Sequence, residues 1–177
     1  MTEFFKLGTT LTMSLFSYGI IALIAGITLF SIFTKKHKRP KIVTVFLFVL
    51  IFFMVWLLII VPNNAGIEIK RGEMRISIPL SAKITITPDD IASCKIIDWN
   101  ENTEYKPAIR TFGTSIGNYR VGNFKLKNGK TAKMLTIGDK AIAIELKNES
   151  YLLLLAPKDF DDFVKAVDDN LIEVMTR

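Results

Sequence analysis

The one histidine of this 177-residue chain, His37, stands between Lys36 and Lys38 in a strongly basic segment, and the one cysteine, Cys94, stands in an apolar run. A histidine in that setting reads as a solvated side chain. The rest of the chain then has no imidazole base, no Ser-His or Cys-His pair and no histidine-based metal set. Cys94 reads as a buried thiol, with a bond between two chains as its alternative use. Three acidic clusters, Asp89-Asp90, Asp159 with Asp161-Asp162, and Asp168-Asp169, could offer oxygens to a calcium ion. None has the alternating ligands, central glycine and terminal glutamate of a calcium loop. They read instead as a turn, a helix start and a solvated face. Gly113, Gly117 and Gly122 are too widely spaced for a phosphate-cradling loop and lead into a strand, not a helix. The expectation is a non-enzyme that uses no metal and no cofactor.

Two basic groups remain. Lys70, Arg71 and Arg75 flank the first turn expected after residue 62 and are the candidate ligand-binding residues, suited to anionic lipid headgroups. Glu68 and Glu73 stand among them, so a solvated turn is the plain alternative. Lys125, Lys127, Lys130 and Lys133 surround Asn128-Gly129, and edge lysines that block strand-to-strand aggregation explain them equally well.

The elements that would position these groups divide sharply. Met13 to Phe33 contains no charged residue over 21 positions, and Ile42 to Val61 none over 20. At about 1.5 Å of rise per residue, each run makes a helix of roughly 30 Å, the thickness of a bilayer's hydrocarbon core. The expectation is a transmembrane hairpin over residues 13–61, with helices at 13–33 and 42–61 and a loop at 34–41, after a short N-terminal segment, 1–12. A cleaved signal peptide fits poorly, because Glu3 and Lys6 remove the positive start and no small-x-small cleavage site follows the run. The net charge of +6 concentrates in the loop, where Lys35, Lys36, Lys38, Arg39 and Lys41 lie. Residues 62–177 carry 17 basic and 16 acidic side chains, so nucleic acid is not an expected partner. Short loops rich in lysine and arginine stay in the cytoplasm. The loop is therefore expected inside and residues 62–177 on the extracytoplasmic face of the membrane.

Gly19, Ala22 and Gly26 make a small-residue face on the first helix, against the bulk of Phe46, Phe48, Phe52, Phe53 and Trp56 on the second. Small faces permit close helix packing in lipid. Here the face is expected to pack the hairpin, with a homodimer as the alternative. No ionisable residue interrupts either span, which argues against a channel or transporter acting alone.

After the exit linker, short alternating runs read as strands: Ile67 to Lys70, Met74 to Ile78, Lys83 to Thr87, Ser93 to Asp98, Tyr119 to Lys127, Thr131 to Ile137, Ala141 to Leu146 and Tyr151 to Leu155. Asn128-Gly129 is the strongest hairpin signal. Period 3.6 then takes over. Pro157 suits a helix start, and Phe160, Phe163, Val164, Val167, Leu171 and Val174 form an apolar stripe, giving a helix over 157–174. The expected fold class is a two-helix hairpin followed by a mostly β domain, 66–177, of about seven strands in two packed sheets or a partly open barrel, closed by the C-terminal helix.

Residues 66–170 resemble a family of bacterial pleckstrin-homology-like (PH-like) domains often found after membrane helices. The resemblance rests on Ile78-Pro79-Leu80 leading to Asp90-Ile91, on Arg110-Thr111-Phe112-Gly113, and on Gly117 with Tyr119-Arg120-Val121-Gly122-Asn123-Phe124. Leu153-Leu154-Leu155-Ala156-Pro157 completes it. It implies a binding module and carries over no catalytic residues. The expected function is a membrane-tethered binding or scaffold module with a protein partner. Alternatives are a sensor of anionic headgroups and an accessory subunit of a membrane complex.

Overall fold

The computed structural model describes residues 2–33, 41–61, 64–79 and 81–175. His37 and the loop cations at 35, 36, 38 and 39 lie outside these residues, as do Pro62, Asn63 and Leu80.

A strand that the sequence reading left out opens the fold. β1, Glu3–Lys6, precedes the first helix, α1, Leu11–Phe33. Thr10 accepts the Met13 N–H at 3.2 Å and caps α1. The second helix, α2, runs from Lys41 to Val55 and widens into a π turn over Trp56–Ile60. Among the described residues, one helical stretch, Leu11–Phe30, is long and apolar enough to cross a membrane, with a mean hydropathy of 2.0; the apolar stretch Val45–Ile60 is shorter. Ser17 and Tyr18 line a small space with Leu58 and Ile59, so the helices lie antiparallel.

The domain adds β2, Gly66–Lys70; β3, Glu73–Ile78; β4, Ala82–Ile86; β5, Ile91–Asp98; β6, Pro107–Ile116; β7, Tyr119–Leu126; β8, Thr131–Ile137; β9, Lys140–Leu146; β10, Tyr151–Ala156; and the terminal helix α3, Phe160–Asn170. The ten strands of the described residues make two sheets, where about seven were expected. One has the order β1-β2-β3-β4 and is antiparallel throughout; the other has the order β5-β9-β10-β8-β7-β6, with β10 and β8 parallel. The extra strands are those with weak alternation: β1, only four residues long, and β6, whose side chains are mostly exposed.

The first core lies between the two sheets and α3. It holds Phe5 and Leu7 beside Ile67, Ile76, Leu135, Leu153, Leu155 and Phe163. Phe5 meets Phe163 edge-on at 5.4 Å between centroids. The second core holds Ile97, Trp99, Phe124, Met134, Leu152 and Leu154 with four alanines, on the other face of the six-stranded sheet. Its members come from five strands of that sheet and, in Trp99, from the β5–β6 connection, and Tyr105 of that connection and Phe160 pack against it. β10 is buried on both faces, which is why it reads as a continuous apolar run.

α3 begins later than expected. Ala156 still pairs with Thr136, so β10 extends to the residue before Pro157, and Asp159 takes the N-cap position. Phe163, Ala166 and Val167 form its buried stripe. Past α3, the Met175 N–H donates to the Cys94 carbonyl at 3.1 Å and the Met175 carbonyl accepts from Ile96 at 3.1 Å, covering part of the β5 edge. β6 remains the open edge of the larger sheet.

Candidate functional site at the helix–domain junction

The end of α2 and the start of α1 meet the β6–β7 hairpin around an apolar cavity of about 290 Å³. Met13 of α1 and Leu57, Leu58 and Val61 of α2 form one wall. Pro79 and the segment from Phe112 to Val121 form the other, and no charged side chain among the described residues lines it. Ligand sites are concave and mostly apolar, with a few placed polar groups.

Two backbone irregularities converge on this cavity. The π turn Trp56–Ile60 carries Leu57 and Leu58 into the wall. Such turns recur at functional sites because one extra residue per turn re-aims the side chains. Opposite, Gly113 of β6 faces Gly122 of β7, with φ of +103° and +126°. A Cβ on Gly113 would stand 2.1 Å from the Val121 carbonyl oxygen, and one on Gly122 would stand 2.2 Å from that of Phe112. Only glycine allows this approach. The β6 register also shifts between Arg110 and Phe112. Together these features bend the hairpin toward the helices, and Gly117 in its turn lies beside Thr12.

The cavity has a polar handle. Tyr119 lines it, is 1% exposed, and its hydroxyl has no hydrogen-bond partner among the described residues. Burial pushes the phenol's pKa up, so it stays neutral and can donate or accept. The next residue, Arg120, points to the opposite face, as strand alternation requires. Its guanidinium stacks on Trp99 at 4.8 Å and donates to the Gly138 carbonyl at 3.2 Å. That contact pins the β8–β9 turn and leaves the charge outside the cavity.

The residues expected from the sequence as binding groups lie elsewhere. Lys70 pairs with Glu68 at 3.0 Å and Arg75 with Glu73 at 2.7 Å, while Arg71 stands exposed in the β2–β3 turn. Arg75's pKa is raised, chiefly by its hydrogen bond to Glu73. The Gly72 N–H donates to the Asn170 carbonyl at 3.2 Å, so this turn docks on the end of α3. β2 starts beside the helix ends at Gly66 and carries the turn away from them. Lys70, Arg71 and Arg75 are therefore brought together with each other and not with the junction cavity.

The small-residue face also differs from expectation. Gly19, Ala22 and Gly26 are exposed, and a Cβ on either glycine would meet nothing within 4 Å. The expectation that this face packs the hairpin is corrected: among the described side chains of α1, Met13, Ser17 and Thr28 are the buried ones.

The cavity residues are not legible in the sequence, because each reads singly as core or turn. The available signal was the pair Gly113 and Gly122, placed in two adjacent runs where a strand tolerates glycine only at a bulge or a close backbone approach. Cys94 is buried as expected, and burial, aided by the charge of Asp168, pushes its pKa up to about 12.

Comparison with curated proteins and with solved structures gives no match. Comparison with family profiles matches residues 60–171 to the bacterial PH domain, covering both sheets apart from β1 and reaching the end of α3. With more than half of the chain matched, and two sheets closed by a C-terminal helix, the chain belongs to the bacterial PH domain family.

Proposed function

We propose that the chain is a non-enzymatic binding module, anchored in a membrane by the α1–α2 hairpin, with the junction cavity as its ligand site. The observation that carries the reading is the pairing of β1 with β2, from Glu3 opposite Ile69 to Lys6 opposite Gly66. β1 precedes α1 and β2 follows α2, so both ends of the helical segment lie on one side. The chain between them crosses a bilayer an even number of times. α1 has the length to cross, and α2 supplies the return. Leu15, Phe16, Leu23 and Phe30 on α1, and Phe46, Phe48 and Phe52 on α2, are exposed apolar side chains that lipid would cover. The basic loop orients the hairpin with residues 34–41 in the cytoplasm and the domain outside.

The test labels single cysteines in a Cys94→Ser background with a membrane-impermeant thiol reagent. Thr2→Cys and Asn148→Cys, both at exposed positions, should react in intact cells. Lys36→Cys should react only after permeabilisation. Thr2 and Asn148 on opposite sides would refute the hairpin. Both protected, with Lys36→Cys labelled, would reverse the orientation and leave the hairpin standing.

One observation favours a second reading, a scaffold for a protein partner. β6 is an open edge, and Ile109 and Phe112 on it are 60% and 46% exposed. An added strand from a partner would pair there. Proline at Thr111 would block that pairing, and loss of a β6-directed crosslink to the partner would report it.

A further inference from the structure

We propose that the junction cavity holds one acyl chain of a bilayer glycerolipid, with an ester oxygen on the Tyr119 hydroxyl. This rests on the membrane-anchored reading. Met13, Leu57 and Leu58 are at the domain-facing ends of their helices and also form a cavity wall. In a membrane-spanning hairpin those ends lie at the boundary between hydrocarbon and headgroups, where lipid ester groups sit. The cavity thus opens at the depth from which an acyl chain could enter sideways. Its volume of about 290 Å³ suits a length of one chain and not a whole lipid.

The chemistry of the wall narrows the occupant. An apolar cavity without polar partners stays dry and takes up apolar molecules. Here two hydroxyls, those of Tyr119 and the half-buried Thr114, stand in an otherwise apolar wall, and that of Tyr119, on a side chain 1% exposed, makes no hydrogen bond to another described residue. The matching ligand is an apolar chain carrying one hydrogen-bond acceptor, which describes an acyl ester. No charged side chain among the described residues lines the cavity, so the headgroup contributes nothing to recognition there. Occupancy should therefore be indifferent to headgroup charge.

The experiment reconstitutes the full chain in vesicles of phosphatidylcholine or phosphatidylglycerol, each doped with the same lipid bearing a diazirine on one acyl chain. After photolysis, crosslinks are mapped by peptide mass spectrometry. They should fall on the Phe112–Val121 segment as well as on α1 and α2, at equal levels with either headgroup. Two cavity-filling variants, Thr114→Phe on the strand side and Leu58→Trp on the helix side, should each cut labelling of that segment at least about fivefold relative to α1, the loss expected when a bound group is sterically excluded. Tyr119→Phe, which deletes only the hydroxyl, should cut it by about fivefold, the scale of one hydrogen bond. A thermal transition retained by either filling variant shows that the domain still folds.

Crosslinks confined to α1 and α2 would overturn the proposal and leave the membrane anchor intact. Hairpin labelling unchanged by both filling variants would overturn it as well. A diazirine fatty acid that labels Phe112–Val121 where the phospholipids do not would overturn the glycerolipid assignment. No crosslink on either helix would refute the membrane-anchored reading itself.

Discussion

Phe163 is fully buried in the first core and meets Phe5 edge-on. Truncating such a ring costs about 3–5 kcal/mol, a large share of a domain's total of about 5–15 kcal/mol. Phe163→Ala should lower the denaturant midpoint of the purified full chain accordingly, and a loss under about 0.5 kcal/mol, the scale of a surface change, would show the ring to be exposed in solution. Cys94 gives a second readout at this scale. Its thiol is 1% exposed, and its pKa stands at about 12 against an ordinary 9.0, chiefly through burial. The folded chain keeps this proton where the unfolded chain loses it. Its contribution to stability is complete below pH 9 and falls as pH rises from 9 toward 12. At pH 8 a thiol reagent should leave Cys94 unmodified in the native protein and modify it fully in denaturant. Fast native labelling would contradict the burial. Both side chains were legible in the sequence, Phe163 from a helical stripe and Cys94 from its apolar run. Tyr119 was not, because nothing local distinguishes a core tyrosine from one with an unpartnered hydroxyl in a cavity wall.

Among the elements, β1 changes what counts as the domain. It contributes Phe5 and, just beyond it, Leu7, which are 7% and 0% exposed. The Leu7 N–H continues the pairing to the Ala65 carbonyl at 3.2 Å. A soluble fragment of residues 66–177 therefore lacks an edge strand and two core side chains. Each such large-to-small loss costs about 2–5 kcal/mol, so the fragment should melt at a clearly lower temperature than one in which residues 2–8 are joined to Ala65 by a short flexible linker. Equal melting temperatures would show that β1 is dispensable. The opposite outcome is expected on the exposed face of α1. Gly19→Leu and Gly26→Leu place side chains where nothing lies within 4 Å, and both should leave domain melting unchanged. A fall in melting temperature would mean that these positions touch something within one chain. The period-two signal of Phe5 and Leu7 was present in the sequence, but two apolar residues next to a long charge-free run do not outweigh that run.

For the whole molecule, the clasp of β1 on β2 links the domain's sheet to the path of the helices. Under the proposed membrane anchoring, the basic loop should set which side the domain occupies, since its charge excess is far larger than that of the domain. Replacing Lys35, Lys36, Lys38 and Arg39 with glutamine should give a mixed or inverted population, read as partial protection of Asn148→Cys from the impermeant reagent. Unchanged labelling would show that another feature orients the chain. Because β1 and β2 are paired, Thr2→Cys and Asn148→Cys should change sides together in that variant.

Local pattern carries much of the molecule. Charge-free runs marked α1 and α2, alternation and turn chemistry marked most strands, a change of period marked α3, and the scarcity of histidine and cysteine limited the chemistry. Asp90 was placed in a turn by its proline, and its carboxylate accepts the Thr87 hydroxyl at 2.7 Å and N–H at 2.9 Å, holding its pKa below the usual range. Features that depend on distant segments emerge from the packing alone. The pairing of residues 3–6 with 66–69 joins positions separated by both helices. The cavity exists because a π turn, a pair of facing glycines and the first turn of α1 meet in space. None of those features encodes a cavity alone, since its walls come from four places in the chain and its shape is set by backbone approach, which residue identity reports only indirectly.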